Sequence, residues 1–282
     1  MATSIINLEN GSVEQTREFL DSFDIVLSDC DGVLWYLDKP IPGSAHALRK
    51  LQELGKQLYL ISNNSTITID EYRKRLDLYG LDIKAVSKEI INTAKTISWY
   101  LKKIQFTGEA FVIATTQFRQ VLIDDGFKLV PQEVSNIRKL SLRLRYYISS
   151  NYFEENLRKI YLIAYRVADF YVFIGYTNVF CTIHKQSGRT PLEFAKPSEN
   201  LKNYILNMCN VKDPSRCLMI GDSINTDMKF GAMCGFKKLF VNTGMDKIKE
   251  AEMNNECCPD FYIPSLALLN PLIDSLQNES AN

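Results

Sequence analysis

The sequence predicts an α/β fold: a doubly wound parallel sheet, with a second, smaller α/β domain inserted into it. Two stretches of the chain alternate short apolar runs with amphipathic helical segments. Such alternation is typical of a parallel sheet that helices cover on both faces. Between the two stretches the sequence is rich in Tyr and Phe and has no catalytic-looking polar motif. This change of texture indicates the inserted domain.

The elements of the first stretch begin with a strand at 24–28 (DIVLS), which apolar and β-branched residues predict. A helix follows at 44–53, where Gly55 provides the stop signal. A strand at 57–61 and a helix at about 68–79, ended by Gly80, complete this stretch.

The pattern returns late in the chain. It predicts helices near 198–209, at 227–234 and near 266–276, and strands at 216–220, 237–241 and 261–263. The intervening block predicts strands at 111–114, 144–149 and 171–175, and helices at 116–125 and 153–168. We therefore expect a core domain formed by 1–105 and 187–282, and an inserted domain at 106–186.

Composition restricts the classes of function. The 33 basic residues balance 33 acidic ones in 282 residues, so no overall field attracts nucleic acid or an anionic membrane. No apolar stretch approaches the roughly 20 residues that span a bilayer. Seven cysteines without a Cys-x-x-Cys pair, and only two histidines, indicate free thiols in a reducing compartment rather than zinc binding. We expect a cytoplasmic protein with neither nucleic-acid nor membrane partners.

Polar residues follow three of the predicted strands. Ligands of parallel α/β sheets bind beyond the carboxyl ends of the strands, so these residues should converge on one crevice. A lysine just before a predicted helix joins them. The candidate residues are Asp29, Asp31, Ser62, Asn63, Asp222, Asp227 and Lys196.

Asp29 and Asp31 repel each other unless a cation lies between them. With Asp222 nearby, these oxygen ligands suit Mg²⁺. Gly32 permits unusual backbone angles or a close approach beside them. An Asx-rich turn is the alternative interpretation of Asp29 and Asp31, and the two interpretations have equal weight on this motif alone.

The other candidates have structural alternatives too. Ser62 and Asn63 offer a hydroxyl, an amide and backbone N–H groups that suit a phosphate oxygen, but they could simply cap a helix. Lys196 could pair with phosphate or be a solvated surface lysine. Asp222 and Asp227 could be acidic residues of a capped helix N-terminus.

Taken together and in this order, four segments resemble the motifs of haloacid dehalogenase-type phosphatases. They are SDCDGVLW (28–35), ISNNST (61–66), GRTPLEFAKPSENL (188–201) and MIGDSINTDMKFGAMCGF (219–236). The resemblance is closer to the subgroup of NagD-like and para-nitrophenyl phosphatases, phosphoglycolate phosphatase and the pyridoxal phosphatase chronophin. It extends over nearly the whole chain, and four ordered motifs are far more specific than one.

The resemblance implies a Rossmann-like core and a role for each candidate. Asp29 would form an aspartyl-phosphate, and Asp31 would act as general acid and base. Asp29, the Asp31 backbone carbonyl and Asp222 would hold Mg²⁺. Phosphoryl oxygens would bind Ser62, the Asn63 backbone and Lys196, and the supporting residues would be Gly32 and Asp227.

The implied activity is magnesium-dependent hydrolysis of small phosphate esters, such as 2-phosphoglycolate or pyridoxal phosphate. The resemblance also implies that the inserted domain, 106–186, is a cap that closes the site and selects the substrate. The implied partners are such an ester and a second copy of the chain, bound through this cap. At 177–180 the sequence reads TNVF, where the subgroup has an aspartate, and the return to the core is short. A catalytically weakened binding or regulatory protein, and a phosphotransferase, are the alternatives.

Overall fold

A computed structural model describes residues 5–64, 67–81, 90–129, 161–164 and 192–281 of the chain. The chain divides into two compact units. The first comprises Met1–Ser62, Ile69–Asn92 and Phe194–Asn282, and the second comprises Asn63–Thr68 and Thr93–Glu193. This division assigns 93–105 to the second unit, whereas the sequence analysis assigned it to the core. The expected bounds at 106 and 186 therefore stay a prediction.

The described strands, in chain order, are β1 (Ile6–Asn7), β2 (Ile25–Ser28), β3 (Trp35–Tyr36), β4 (Lys39–Pro40), β5 (Gln57–Ser62), β6 (Ile91–Asn92), β7 (Glu109–Ile113), β8 (Lys128–Leu129), β9 (Tyr161–Ala164), β10 (Cys217–Gly221), β11 (Lys237–Val241) and β12 (Phe261–Ile263).

The first unit contains a seven-stranded parallel sheet in the order β1-β12-β11-β10-β2-β5-β6. Strand β2 lies between β10 and β5, which makes the carboxyl end of β2 the switch point of the winding.

The core of the first unit lies around the central strands. All five residues of β10 are buried, as are the last three of β2. Strands buried on both faces are expected to be continuously apolar, and these two are, apart from Ser28 at the end of β2. The doubly wound α/β class predicted from the sequence is thereby confirmed.

Helices connect the parallel strands of the first unit. Ser12 and Gln15 form a capping box before the first helix, and Gly235 ends another with a φ of 75°. The predicted helix at 44–53 is confirmed. The α-helix predicted at 227–234 begins only at Lys229, because Ile224–Met228 form a π-helical turn. The described α-helices of this unit are Val13–Asp21, Ser44–Glu53, Ile69–Leu78, Glu199–Met208, Lys229–Cys234, Ile248–Glu252 and Leu269–Ala281.

In the described part of the second unit, β7 pairs in parallel with both β8 and β9 to form a three-stranded sheet. The described helices of this unit are Thr93–Lys103 and Thr116–Asp124. The hydroxyl of Ser98 and the ammonium of Lys102, both on the first of these helices, donate hydrogen bonds to the carboxylate of Asp125. Asp125 lies at the end of the second helix, so these bonds connect the two.

One sequence prediction in this unit is wrong. The helix expected at 153–168 is replaced at Tyr161–Ala164 by strand β9, which pairs with β7 over four residues. A short apolar run such as YLIA fits a buried strand as well as a helix, and strand pairing decides between them. The strands predicted at 144–149 and 171–175 lie outside the described residues.

Within the described part of the chain, no helix combines the length and apolar character needed to cross a membrane.

Candidate active site

The ammonium of Lys196 lies at the centre of the site. Its Nζ is 2.7 Å from Oδ1 of Asp29 and 2.7 Å from Oδ1 of Asp227. It also donates to the carbonyl of Ile61, at 3.4 Å. All three charged side chains are buried, so solvent screens these ion pairs weakly. Lys196 is therefore not a solvated surface lysine.

The main chain fixes Asp29 at the carboxyl end of β2. Its backbone N–H donates to the carbonyl of Ile220 on β10, at 2.9 Å, so pairing of the two strands extends one residue beyond β2. The hydroxyl of Ser28 donates to the carbonyl of Asp29, at 2.8 Å. The carboxylate therefore projects from a rigid strand end.

A tight turn after β10 positions Asp227. One of its oxygens, Oδ2, accepts hydrogen bonds from the backbone N–H groups of Asp222 and Ser223, both at 3.2 Å. The π-helical turn Ile224–Met228 carries Asp227 back to the strand end, while its Oδ1 pairs with Lys196. Asp227 thus links the turn to the ammonium.

Two glycines pack closely against the carboxylate of Asp222. Its Oδ2 accepts a hydrogen bond from the backbone N–H of Met245, at 2.7 Å. A Cβ at Gly32 would lie 2.4 Å from the Asp222 Cγ, and one at Gly244 would lie 1.7 Å from its Oδ2. Both positions require glycine because of this carboxylate.

Asp29, Asp222 and Asp227 form a cluster that could hold a metal ion. One oxygen from each lies within 4.8 Å of the others. Burial and the neighbouring Asp227 charge raise the pKa of Asp222 to about 7. Burial also raises the pKa of Asp29 well above its ordinary value, against the opposing charge of Lys196.

The charge balance of this cluster favours a divalent cation. Burial alone would lower the pKa of Lys196, but Asp227 and Asp29 outweigh it and raise that pKa. One ammonium nevertheless faces three carboxylates, and oxygen ligands of this kind suit Mg²⁺. The donor set therefore fits the predicted ion. It includes Asp227, which the sequence analysis placed in a supporting role; the carbonyl of Asp31 stays a predicted ligand.

Both carboxylate oxygens of Asp31 accept hydrogen bonds. The indole Nε1 of Trp35 donates to Oδ1 at 2.9 Å, and the hydroxyl of Ser62 donates to Oδ2 at 3.4 Å. The phenol of Tyr72 donates in turn to Ser62, at 3.0 Å. Burial raises the pKa of Asp31, although the hydrogen bonds that Trp35 and Ser62 donate to it oppose the rise. A carboxyl group with a raised pKa is suited to proton transfer.

Six of the predicted site residues are brought together in the first unit: Asp29, Asp31, Ser62, Lys196, Asp222 and Asp227. Gly32 lies against Asp222. Asn63 belongs to the second unit, so its contact with phosphate stays a prediction.

The loop after β11 contributes to the site, although none of its residues was predicted from the sequence. The hydroxyl of Thr243 donates to the carbonyl of Gly32, and the N–H of Asp246 donates to the carbonyl of Asp222 at 3.3 Å. The carboxylate of Asp246 accepts from the N–H of Ile224, at 2.6 Å. A polar NTGMD segment at the end of a predicted strand was the available signal. Trp35, inside a recognised motif, was also overlooked.

Comparison with known proteins gives a consistent assignment. A sequence model described as haloacid dehalogenase-like hydrolase matches residues 26–128, and a related hydrolase model matches 193–269. A 4-nitrophenylphosphatase from Schizosaccharomyces pombe is 28% identical, over 92% of this chain and 97% of that protein. Phosphoglycolate phosphatase 1A of Arabidopsis thaliana is 26% identical, over 90% of this chain and 78% of that protein.

The fold is shared with solved structures. The crystal structure of a 4-nitrophenylphosphatase from Thermotoga maritima superimposes with a TM-score of 0.71, at 22% identity, over 92% of this chain and 99% of that one. The two family matches together span more than half of the chain and contain all the candidate site residues. The chain belongs to the haloacid dehalogenase-like hydrolases, and within them to the phosphatases.

Proposed function

We propose that the protein is a magnesium-dependent phosphomonoester hydrolase that acts on small phosphorylated metabolites through an aspartyl-phosphate on Asp29. The observation that carries this proposal is the position of Lys196, whose ammonium joins Asp29 to Asp227 with two contacts of 2.7 Å. A buried cation against the nucleophile supplies positive charge where phosphoryl oxygens gather. Phosphoryl transfer depends mainly on such positioning and charge neutralisation.

Asp29, Asp222 and the carbonyl of Asp31 would hold Mg²⁺, and the geometry supports Asp227 as a further oxygen donor. The ion, when bound, neutralises charge on the phosphoryl group and keeps Asp29 ionised. Its charge compensates the excess of carboxylate over ammonium in the cluster.

The two central aspartates would divide the chemistry. Asp29, rigid at its strand end, attacks phosphorus while Asp31 gives its proton to the leaving oxygen. Asp31 then takes a proton from the water that hydrolyses the aspartyl-phosphate, which restores both side chains. Lys196, Ser62 and the backbone of Asn63 hold the phosphoryl oxygens meanwhile.

The proposed substrates are small phosphate esters. 2-Phosphoglycolate is supported by the name of the Arabidopsis relative, and 4-nitrophenyl phosphate by the names of two others. Pyridoxal phosphate is a further candidate, which the resemblance of the motifs implies.

Phosphate release from these three compounds, with Mg²⁺ or with EDTA, tests the proposal. We expect release that requires Mg²⁺ and that Asp29→Asn abolishes, because an amide is a poor nucleophile but nearly isosteric. Asp24→Asn is the matched control. Asp24 lies just before β2, whereas Asp29 lies just after it. Asp24 pairs with Arg216 near the surface, so Asp24→Asn should release phosphate at the wild-type rate. Full activity in EDTA, or in Asp29→Asn, would refute the proposal.

A further inference from the structure

Trp35 is held in one orientation beside Asp31. A turn closed by a hydrogen bond of 2.6 Å, from the N–H of Gly32 to the carbonyl of Trp35, brings the indole back to the carboxylate. The ring is fully buried. It packs against Tyr72 and Tyr79, with ring centroids 5.9 and 6.2 Å away, and the Arg75 guanidinium lies 5.9 Å from its centre.

The two oxygens of Asp31 have chemically different partners. An indole N–H can only donate, so Oδ1 is held as an acceptor. A hydroxyl can donate or accept, so Ser62 can form a hydrogen bond with Oδ2 whether Oδ2 is deprotonated or protonated. In a carboxylic acid, the oxygen that accepts the stronger hydrogen bond is the carbonyl oxygen. The proton of neutral Asp31 is therefore favoured on Oδ2.

We propose that Trp35 is a positioning residue for proton transfer, which holds Oδ1 of Asp31 as the acceptor oxygen and so directs the transferable proton to Oδ2, beside Ser62. This rests on the proposed function, in which Ser62 binds the phosphoryl group. In the first step the Oδ2–H bond breaks and the proton passes to the leaving oxygen. At the same time the ester P–O bond breaks and the bond from Asp29 to phosphorus forms, which leaves Asp31 as a carboxylate.

A second donor supports the Oδ2 side. Tyr72 is fully buried, and its hydroxyl donates to Ser62 at 3.0 Å. It therefore orients the hydroxyl that faces Oδ2. Tyr72 and Trp35 act on opposite oxygens of the same carboxylate, and their rings also touch.

A buried indole N–H needs an acceptor in any protein, so the contact could serve packing alone. A positioning role and a packing role of Trp35 predict that loss of its N–H affects the rate differently for different leaving groups. An alkoxide leaves only with a proton, whereas nitrophenolate leaves readily without one. Loss of proton positioning should therefore slow an alkyl phosphate selectively, and loss of packing should slow both substrates equally.

The test compares kcat/KM of Trp35→Phe and wild type on 2-phosphoglycolate and on 4-nitrophenyl phosphate, since kcat/KM reports the steps up to aspartyl-phosphate formation. We expect a loss of about 10- to 100-fold on the alkyl ester and of less than about threefold on the nitrophenyl ester. Tyr72→Phe should show the same selectivity with a smaller loss. If Trp35→Phe does not fold, benzothienylalanine at position 35 keeps the fused rings and removes only the N–H.

Tyr79→Phe is the matched control. The ring of Tyr79 also packs on Trp35, and its hydroxyl donates to the carbonyl of Asp38 at 3.1 Å. Removing this hydroxyl leaves the hydrogen bonds of Asp31 in place. The variant should leave both kcat/KM values unchanged.

Equal losses on the two esters in the Trp35 variants would overturn the positioning role. Asp31→Asn separates this failure from failure of the proposed function. A strong, leaving-group-dependent loss in Asp31→Asn would retain Asp31 as the proton donor even if Trp35 proved to be structural. Undiminished turnover by Asp31→Asn would instead overturn the proposed function itself.

Discussion

At the scale of single residues, Asp222 lowers the stability of the folded protein because its ionised carboxylate is buried in the candidate site. Its carboxylate is buried, close to Asp227, and its pKa is raised to about 7 from an ordinary value of 3.8. The ionised form is thus disfavoured in the folded protein. A bound cation would remove this cost, which is the usual logic of a metal site built from carboxylates.

The pH dependence of stability should expose this cost. With a raised pKa, the folded protein retains a proton that the unfolded chain releases, so the free energy of unfolding falls as pH rises from 3.8 towards about 7. Asp29 contributes with the same sign. In EDTA we therefore expect Tm to fall between about pH 4 and about pH 7.

Asp222→Asn is the control for that measurement, because an amide has no proton to lose in this range. The slope of Tm against pH should become shallower in this variant and in wild type with saturating Mg²⁺. A slope that is the same in all three samples would show that the cluster does not carry this electrostatic cost.

At the residue scale, the sequence predicted which charged side chains lie together. Asp29 and Asp222 were selected because they follow predicted strands, and Lys196 because it precedes a helix; the structure brings the three into one cluster, and their chemical roles stay a prediction. Trp35 and Tyr72 were missed, since aromatic residues beside an apolar strand usually belong to the core. Their polar atoms became informative only when their partners were known.

At the scale of elements, strand ends and the turns after them build the site. Periodicity predicted β2, β5 and β10 to within a residue or two, so the convergence of their carboxyl ends was predictable. The loop 242–246 was predictable only in part. Its polar residues after a predicted strand were a signal, but its hydrogen bonds to Asp222 come from backbone N–H groups, which leave no side-chain pattern.

The turn at Gly32 offers a clean test of this architecture. Gly32 and Gly55 have nearly the same φ, +85° and +82°, so alanine at either pays a similar conformational cost of about 1 kcal/mol. A Cβ at Gly32 collides with Asp222, whereas one at Gly55 meets nothing within 4 Å. We expect Gly32→Ala to lose about 100-fold in kcat/KM, since a small displacement of a catalytic group has such an effect.

Gly55→Ala should lose stability alone and keep its kcat/KM. Chemical denaturation and steady-state kinetics on both variants make the comparison. Equal activity in the two variants would contradict the role given to close packing of Gly32 on Asp222.

For the whole molecule, the sequence predicted a parallel core interrupted by an insertion, and the observed division into two units has that form. Details of the insertion were less predictable. The run YLIA became a strand because it pairs with β7, and such long-range pairing leaves no local signal. The assignment of the insertion to substrate selection and dimer formation stays a prediction.

Binding of Mg²⁺ should stabilise the whole molecule. An ion that binds only the folded state adds about 2.7 kcal/mol to the free energy of unfolding at 100 times its Kd. We expect Mg²⁺ to raise Tm of wild type and of Asp24→Asn, and not to raise that of Asp222→Asn. Differential scanning calorimetry across a titration of Mg²⁺ measures this. An equal rise in Asp222→Asn would place the ion elsewhere.

The most direct test of the central claim is to find the phosphoryl group on Asp29. The protein would be mixed with 4-nitrophenyl phosphate and Mg²⁺, quenched with acid during turnover, digested and mapped by mass spectrometry. We predict one added phosphoryl group on the peptide that contains Asp29, and none on that peptide from Asp29→Asn, which should release phosphate at least roughly 10³-fold more slowly. A phosphoryl group on another residue, or undiminished release by Asp29→Asn, would contradict the account.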